Sequence, residues 1–160
     1  MTEAEVLRVL AALDGLGVHV DGGWGVDALL GRQTRQHGDL DLAVPIASEE
    51  RMESALVALG YRAQPGHPEH NPVFASPDGA VDVHLYEFAG DEPEALIGIA
   101  YPRASLTGRG RIGGVEVDCI AAEWVIPFHS GYPLDADDLA DVRAVAEAFG
   151  LDLLPEQREL

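Results

Sequence analysis

Two carboxylates, Asp39 and Asp41, stand one residue apart in the run Asp-Leu-Asp-Leu-Ala-Val over 39–44. On a strand the side chains alternate between faces, so the two acids share one face while Leu40 and Leu42 enter a core. Carboxylates placed side by side repel each other unless a cation sits between them. Upstream, Gly22-Gly23 lets the backbone approach a ligand closely, and the helix it opens aims free N–H groups at an anion. Arg32 and Arg35 add guanidinium groups suited to a triphosphate. Together these residues make a place for a polyphosphate and its magnesium ions. Nucleotidyl transfer requires such a place, with two metal ions about 3.5–4 Å apart, one on the nucleophile and one on the leaving pyrophosphate. Asp39 and Asp41 are suited to bridge them. Asp82, in Ala-Val-Asp-Val-His-Leu-Tyr, shares a strand face with His84 and supplies a third carboxylate if its strand lies beside 39–44.

Each of these residues also has a plainer reading. Asp-x-Asp on a strand is often a solvated face, and Glu116-Val117-Asp118 repeats the spacing with no glycine-opened helix leading into it, as expected of a half-exposed hairpin. Asp27 reads as helix surface or a local hydrogen-bonding residue. His84 reads equally as a structural histidine. Trp24 reads as packing beneath the glycine loop, or as a further contact to the nucleotide. His67-Pro-Glu-His70 has metal-ligand spacing but lies in a proline-rich loop, and is read as nothing more.

Composition narrows the field. The chain has 160 residues, enough for one domain with a proper core, and its 47% apolar and 24% charged content is ordinary for a globular protein. The net charge of −18 argues against a nucleic-acid binder, which needs a basic face. It suits a cationic small substrate and, equally, an acidic, highly soluble surface. The absence of any lysine excludes a Walker A loop. Cys119 is alone, so no intramolecular disulfide or cysteine-based zinc site forms. The acidic start Met-Thr-Glu-Ala-Glu is unlike a signal peptide, and no apolar run reaches membrane-spanning length. A cytoplasmic protein with no membrane partner is expected.

The periodicity predicts a helix over 2–16 with Thr2 and Glu5 as a capping box, a short strand at 18–20, and a helix over 24–30 stopped by Gly31. A polar connector then delivers the 39–44 strand. Ser48 is expected to cap a helix running to Leu59. Hairpins are predicted around Pro77-Asp78-Gly79 and Gly113-Gly114, and 87–105 is expected to be irregular. Helices over 121–130, strained by Pro127, and over 135–149 close the chain. The fold class is α+β, a mixed sheet flanked by helices. One domain over 1–160 is expected, with a helical C-terminal part at about 121–150.

The run Gly-Gly-Trp-Gly-Val-Asp-Ala-Leu-Leu-Gly-Arg-Gln-Thr-Arg-Gln-His-Gly-Asp-Leu-Asp-Leu resembles the signature of antibiotic nucleotidyltransferases of the polymerase-β-like superfamily. The chain is most similar to the short lincosamide nucleotidyltransferases and next to the aminoglycoside 2″-O-nucleotidyltransferases. Val-Asp-Val-His-Leu-Tyr matches the segment bearing the family's third acid, and Phe-His-Ser-Gly-Tyr over 128–132 resembles its C-terminal part. The resemblance implies magnesium-dependent transfer of a nucleoside monophosphate, commonly AMP from ATP, to an antibiotic hydroxyl with release of pyrophosphate. It implies Asp39, Asp41 and Asp82 as metal-binding and catalytic residues, and Gly22-Gly23 as the triphosphate loop. His129 and Tyr132 border the nucleotide in this reading. The alternatives are a protein-adenylylating enzyme of antitoxin type and a degenerate, non-catalytic nucleotide-binding module. The oligomeric state stays open between monomer and homodimer.

Overall fold

The computed structural model describes residues 1–158. Helix α1 (Glu3–Ala12) opens at Thr2, whose hydroxyl accepts the Glu5 N–H at 3.2 Å. The reciprocal half of the predicted capping box does not form. The Glu5 carboxylate turns instead to Arg8 and to the Tyr61 hydroxyl, each at 2.6 Å, which ties α1 to a distant part of the chain. The helix also ends earlier than the apolar stripe predicts, although Leu13 and Leu16 beyond it remain in the core.

Strand β1 (His19–Asp21) leads into helix α2 (Gly22–Leu30), which ends at Gly31 in the left-handed conformation, φ 66°. Strand β2 (Asp39–Pro45) follows, then a 3-10 turn at Ile46–Ser48 and helix α3 (Glu49–Ala58). Ser48 precedes α3 without capping it, because its hydroxyl donates to the Leu16 carbonyl at 2.8 Å. Strands β3 (Arg62–Ala63), β4 (Val73–Ser76) and β5 (Gly79–Glu87) come next, the last two forming the hairpin expected at Asp78-Gly79.

The stretch expected to be irregular is partly ordered. Strand β6 (Ile97–Gly98) pairs with the end of β5, and a 3-10 turn covers Arg103–Thr107. Strands β7 (Gly108–Ile112) and β8 (Val115–Cys119) form the second hairpin. Helix α4 (Ala122–Phe128) holds Pro127 in its last turn, where only one helical bond is lost. Helix α5 (Ala136–Phe149) starts at a capping box between Asp135 and Asp138 and stops at Gly150. A final turn, α6 (Pro155–Arg158), returns Gln157 to the body. Gln157 donates to the Ile126 and His129 carbonyls at 2.9 and 2.7 Å, satisfying the end of α4.

The strands form the mixed sheet predicted, ordered β3-β4-β5-β2-β1-β8-β7, with β6 attached to β5. One face carries Val20, Leu40, Leu42, Val44, Val81, Val83 and Leu85, and packs against Val6, Val9 and Leu13 of α1 and its C-cap and Met52 and Leu56 of α3. Burial of this face fixes the register, since a one-residue slip would send every leucine to water. The opposite face carries the polar residues of the same strands. Helices α2, α4 and α5 meet through Val26, Ala122, Val125 and Val145, so the C-terminal helices stand over the polar end of the sheet. Phe149, at the end of α5, is 45% exposed.

Candidate active site

Three neighbouring strands set three carboxylates in a row. Strand β2 runs antiparallel to β1 and parallel to β5, and the register places Asp41 opposite Asp21 on one side and Asp82 on the other. The parallel pairing of β2 with β5 is the topological fact that brings Asp82, some forty residues away, beside Asp41. Oxygens of Asp41 and Asp82 and a ring nitrogen of His84 lie within 4.8 Å of one another. Asp39, on the same face of β2 but nearer its exposed start, lines the same cleft.

Sequence reasoning missed Asp21. It occupies the N-cap of α2, where Oδ1 accepts the Gly22 N–H at 2.8 Å. Its Oδ2 accepts the Tyr101 hydroxyl at 2.5 Å and stands 3.6 Å from His84 Nδ1. The available signal was an aspartate directly before a helix-opening glycine pair. Tyr101, in the segment read as irregular, carried no sequence signal; it closes a network in which its hydroxyl also meets His84 Nδ1 at 2.9 Å. Asn71, in the proline-rich loop read as inert, donates through Nδ2 to Asp82 Oδ1.

Charges in this network work against one another. Burial, then Asp39, with smaller contributions from Asp21 and Asp82, pushes the Asp41 carboxyl up to about 7, opposed by His84. Burial also works to raise Asp21, but the contacts from His84 and Tyr101 and the His84 charge outweigh it and hold Asp21 below its ordinary value. For His84, burial favours the neutral ring, while Asp21, Asp41 and Asp82 together raise its pKa. Burial, reinforced by the Asp21 carboxylate, raises Tyr101 far enough to keep it a neutral donor. A cluster that forces one acid toward neutrality in this way has room for added positive charge.

The glycine pair serves the acids as well as any ligand. Gly22 is left-handed, φ 56°, and a methyl there would collide with the Asp41 carboxylate; one on Gly23 would strike the His37 ring. Arg35 reaches the cleft and pairs with Asp141 at 2.8 Å and Asp137 at 3.5 Å, joining the 31–38 connector to α5. The cleft has a volume of about 310 Å³ and is lined by Asp21, Gly22, Gly23, Arg35, His37, Asp39, Asp41 and His84 from the sheet side. Phe128, His129, Asp138 and Asp141 line it from the helices.

Two expected nucleotide contacts fall elsewhere. Trp24 is 1% exposed and packs in the core with its ring 4.9 Å from His37, so its face offers nothing to a base. Arg32 lies away from the acids, around a small depression shared with Glu3, Gln33 and Arg111. The connector turns between the two arginines, and only the second points into the cleft. Asp27 is no surface residue: at 2% exposure it accepts the Thr34 N–H at 2.9 Å and meets His37 Nε2 at 2.5 Å, which fixes the connector to α2. Tyr132 is half exposed and outside the cleft lining, whereas His129 is in it. Glu116 and Asp118 pair on the open surface with Arg111 and Arg109, as expected of an ordinary hairpin. His67 and Glu69 are exposed in their loop.

A search of solved structures finds ANT(2″)-Ia in complex with adenylyl-2″-tobramycin, with TM-score 0.78 and 24% identity over 92% of this chain and 89% of that one. The lincomycin-bound lincosamide antibiotic adenylyltransferase LnuA superimposes with TM-score 0.77 and 24% identity, over 91% of this chain and 96% of that one. These two likenesses establish the fold. Among curated proteins, a lincosamide resistance protein of Staphylococcus haemolyticus is 27% identical over 152 residues, 89% of this chain and 93% of its own. A 2″-aminoglycoside nucleotidyltransferase of Escherichia coli is 42% identical over 57 residues, about a third of each chain. The sequence profile of the aminoglycoside-2″-adenylyltransferase family matches residues 5–145, a span that takes in every strand of the sheet and every side chain lining the acidic cleft. On that match the chain belongs to this family of nucleotidyltransferases.

Proposed function

We propose that the protein, acting as a single domain, transfers a nucleoside monophosphate, AMP from ATP, onto a hydroxyl of a small cationic antibiotic of lincosamide or aminoglycoside type, with release of pyrophosphate. The observation that carries this reading is the Asp41–Asp82 pair on adjacent parallel strands, set beside a glycine-opened helix N-terminus and Arg35.

The donor set fits magnesium. It consists mainly of carboxylate oxygens, the ligands of a hard cation, and the raised pKa of Asp41 marks negative charge that the protein itself leaves uncompensated. Asp39, Asp41 and Asp82 would hold the ions. The chemistry that a pair of them supplies when bound is neutralisation of the triphosphate and polarisation of the attacking hydroxyl.

The remaining work belongs to the chain. The free N–H groups of the first turn of α2 and the Arg35 guanidinium hold the triphosphate, with Gly22 and Gly23 giving it close access to the backbone. The acceptor hydroxyl enters beside Asp82, which takes its proton as the oxygen–phosphorus bond forms and the bond to pyrophosphate breaks. His84 Nε2, 3.7 Å from Asp82 Oδ1, supports the carboxylate's charge before transfer. Asp138 on α5 faces the cleft from the helical side, where it attracts an amine on the acceptor, while Asp141 is held by Arg35.

The test is direct. The protein is incubated with magnesium, each of ATP, GTP, CTP and UTP, and a panel of lincosamides and aminoglycosides, and pyrophosphate and product mass are followed. An antibiotic heavier by one nucleotidyl group, formed one for one with pyrophosphate, is the expected result. Labelling of protein alone would favour the protein-adenylylating alternative, and no product with any pair would contradict both.

A further inference from the structure

The loop Pro65–Pro72, dismissed on sequence as proline-rich and irregular, is pinned along the site-bearing strand. The Leu85 N–H donates to the His70 carbonyl at 2.9 Å, the Val83 N–H to the Pro72 carbonyl at 3.0 Å, and the Asn71 N–H closes a turn onto Pro68 at 3.0 Å. Residues 70–72 thus extend the pairing of β4 with β5 past its last rung, Val73 opposite Asp82. This places the Asn71 side chain against Asp82. Its amide nitrogen donates to Asp82 Oδ1 and to the Val83 carbonyl, the latter at 3.1 Å. Both neighbours are pure acceptors, so the orientation of the amide is fixed by its surroundings.

We infer that Asn71 is a positioning residue for the third carboxylate, an inference that rests on the nucleotidyl-transfer reading above. A carboxylate on a strand turns freely about its last torsion, and can present either oxygen to the cleft. The Asn71 amide, itself anchored on the Val83 carbonyl, holds Oδ1 and leaves Oδ2 for the cation and the acceptor proton. It also places a donor against Asp82 where every other acid of the row brings repulsion. Asn71 touches neither nucleotide nor acceptor in this account, and acts through Asp82 alone. Partners that orient ligating carboxylates in this way typically matter by 10–100-fold in metal affinity or rate.

The experiment is a double-mutant cycle on Asn71→Ala and Asp82→Asn. It is read by single-turnover rate and by Mn²⁺ binding, followed by electron paramagnetic resonance with a non-hydrolysable ATP analogue present. Asn71→Ala is expected to lower the rate and weaken one Mn²⁺ site by about 10–100-fold, with the nucleotide Kd changed less than threefold. In the Asp82→Asn background the same substitution is expected to have no further effect on either readout. Full additivity would overturn the inference, since a merely structural asparagine damages both backgrounds alike. Wild-type rate and Mn²⁺ affinity in Asn71→Ala alone would also overturn it. If Asn71→Ala does not fold, Asn71→Leu, which keeps the side-chain volume and removes the donor, enters the same cycle under the same criteria. Should Asp82→Asn itself prove as active as wild type, the third-acid reading fails, and that outcome is distinguishable from a silent Asn71.

Discussion

Asp41 is where the charge conflict of the site is concentrated. Its folded-state pKa, raised from 3.8 to about 7, means that the native state holds a proton that the unfolded chain has released. The stability it contributes is therefore fully present below pH 3.8 and lost as pH rises through about 7. Without metal, Asp41→Asn removes that loss. Thermal melts in EDTA are expected to show the variant more stable than wild type at pH 8, by roughly 2–4 °C for each kcal/mol recovered, and equal to it near pH 4. A variant less stable at pH 8 would contradict the repulsion inferred at the site. Asp82→Asn is expected to lower the single-turnover rate by at least ~100-fold while changing nucleotide affinity far less. Glu116→Gln and Asp118→Asn, which break only exposed pairs worth about 0–1 kcal/mol, are expected to leave rate and melting nearly unchanged.

At the scale of elements, the turn from β1 into α2 carries the tightest constraint. Gly22→Ala places a methyl against the Asp41 carboxylate and imposes a left-handed backbone on a residue with a Cβ. Loss of transfer activity and a destabilisation of at least ~1–2 kcal/mol are expected in urea titration, and a fully active alanine variant would mean that Asp41 has other room. Arg35→Gln separates the connector from α5 and leaves the buried Asp141 without its partner. It is expected to raise the ATP KM about tenfold and to lower the melting temperature, whereas Arg32→Gln, on the far side of the connector, is expected to do neither. What was legible in the sequence follows the same lines. Alternating leucines and aspartates gave β2 its faces, and turn glycines marked both hairpins and the ends of α2 and α5. The third acid could be proposed because Asp82 shares a face with His84, but its placement beside Asp41 depends on a crossover that no local pattern encodes. Asp21, Tyr101 and Asn71 stayed hidden because each acts through long-range pairing, and their own neighbours look like a cap, a loop and a proline-rich linker. Trp24 had two readings because a residue beside a glycine loop can point either way, and the core takes it, as the packing reading expects.

For the molecule as a whole, the charge of −18 bears on how the acceptor arrives. Asp21, Asp39, Asp41, Asp138 and Asp141 line a single cleft in which Arg35 is the counterweight. Part of the acidic excess is thus gathered at the site, although Asp135 and Asp138 also cap α5. A cleft of one sign raises the local concentration of a cationic ligand, and salt screens the effect over about 8–10 Å. The acceptor kcat/KM is expected to fall with ionic strength, more steeply for an aminoglycoside with several amines than for a lincosamide with one. A flat salt profile would mean that apolar contacts dominate acceptor capture. Among the described residues no helix is long and apolar enough to cross a membrane. The central claim, that the Asp41–Asp82 pair performs nucleotidyl transfer, is tested most directly by a single-turnover measurement with magnesium, saturating ATP and the best acceptor of the panel, comparing wild type with Asp41→Asn. The wild type is expected to give an adenylylated antibiotic and pyrophosphate in equal amounts, and a variant that folds normally a rate at least ~1000-fold lower. Equal rates from the two proteins would contradict it.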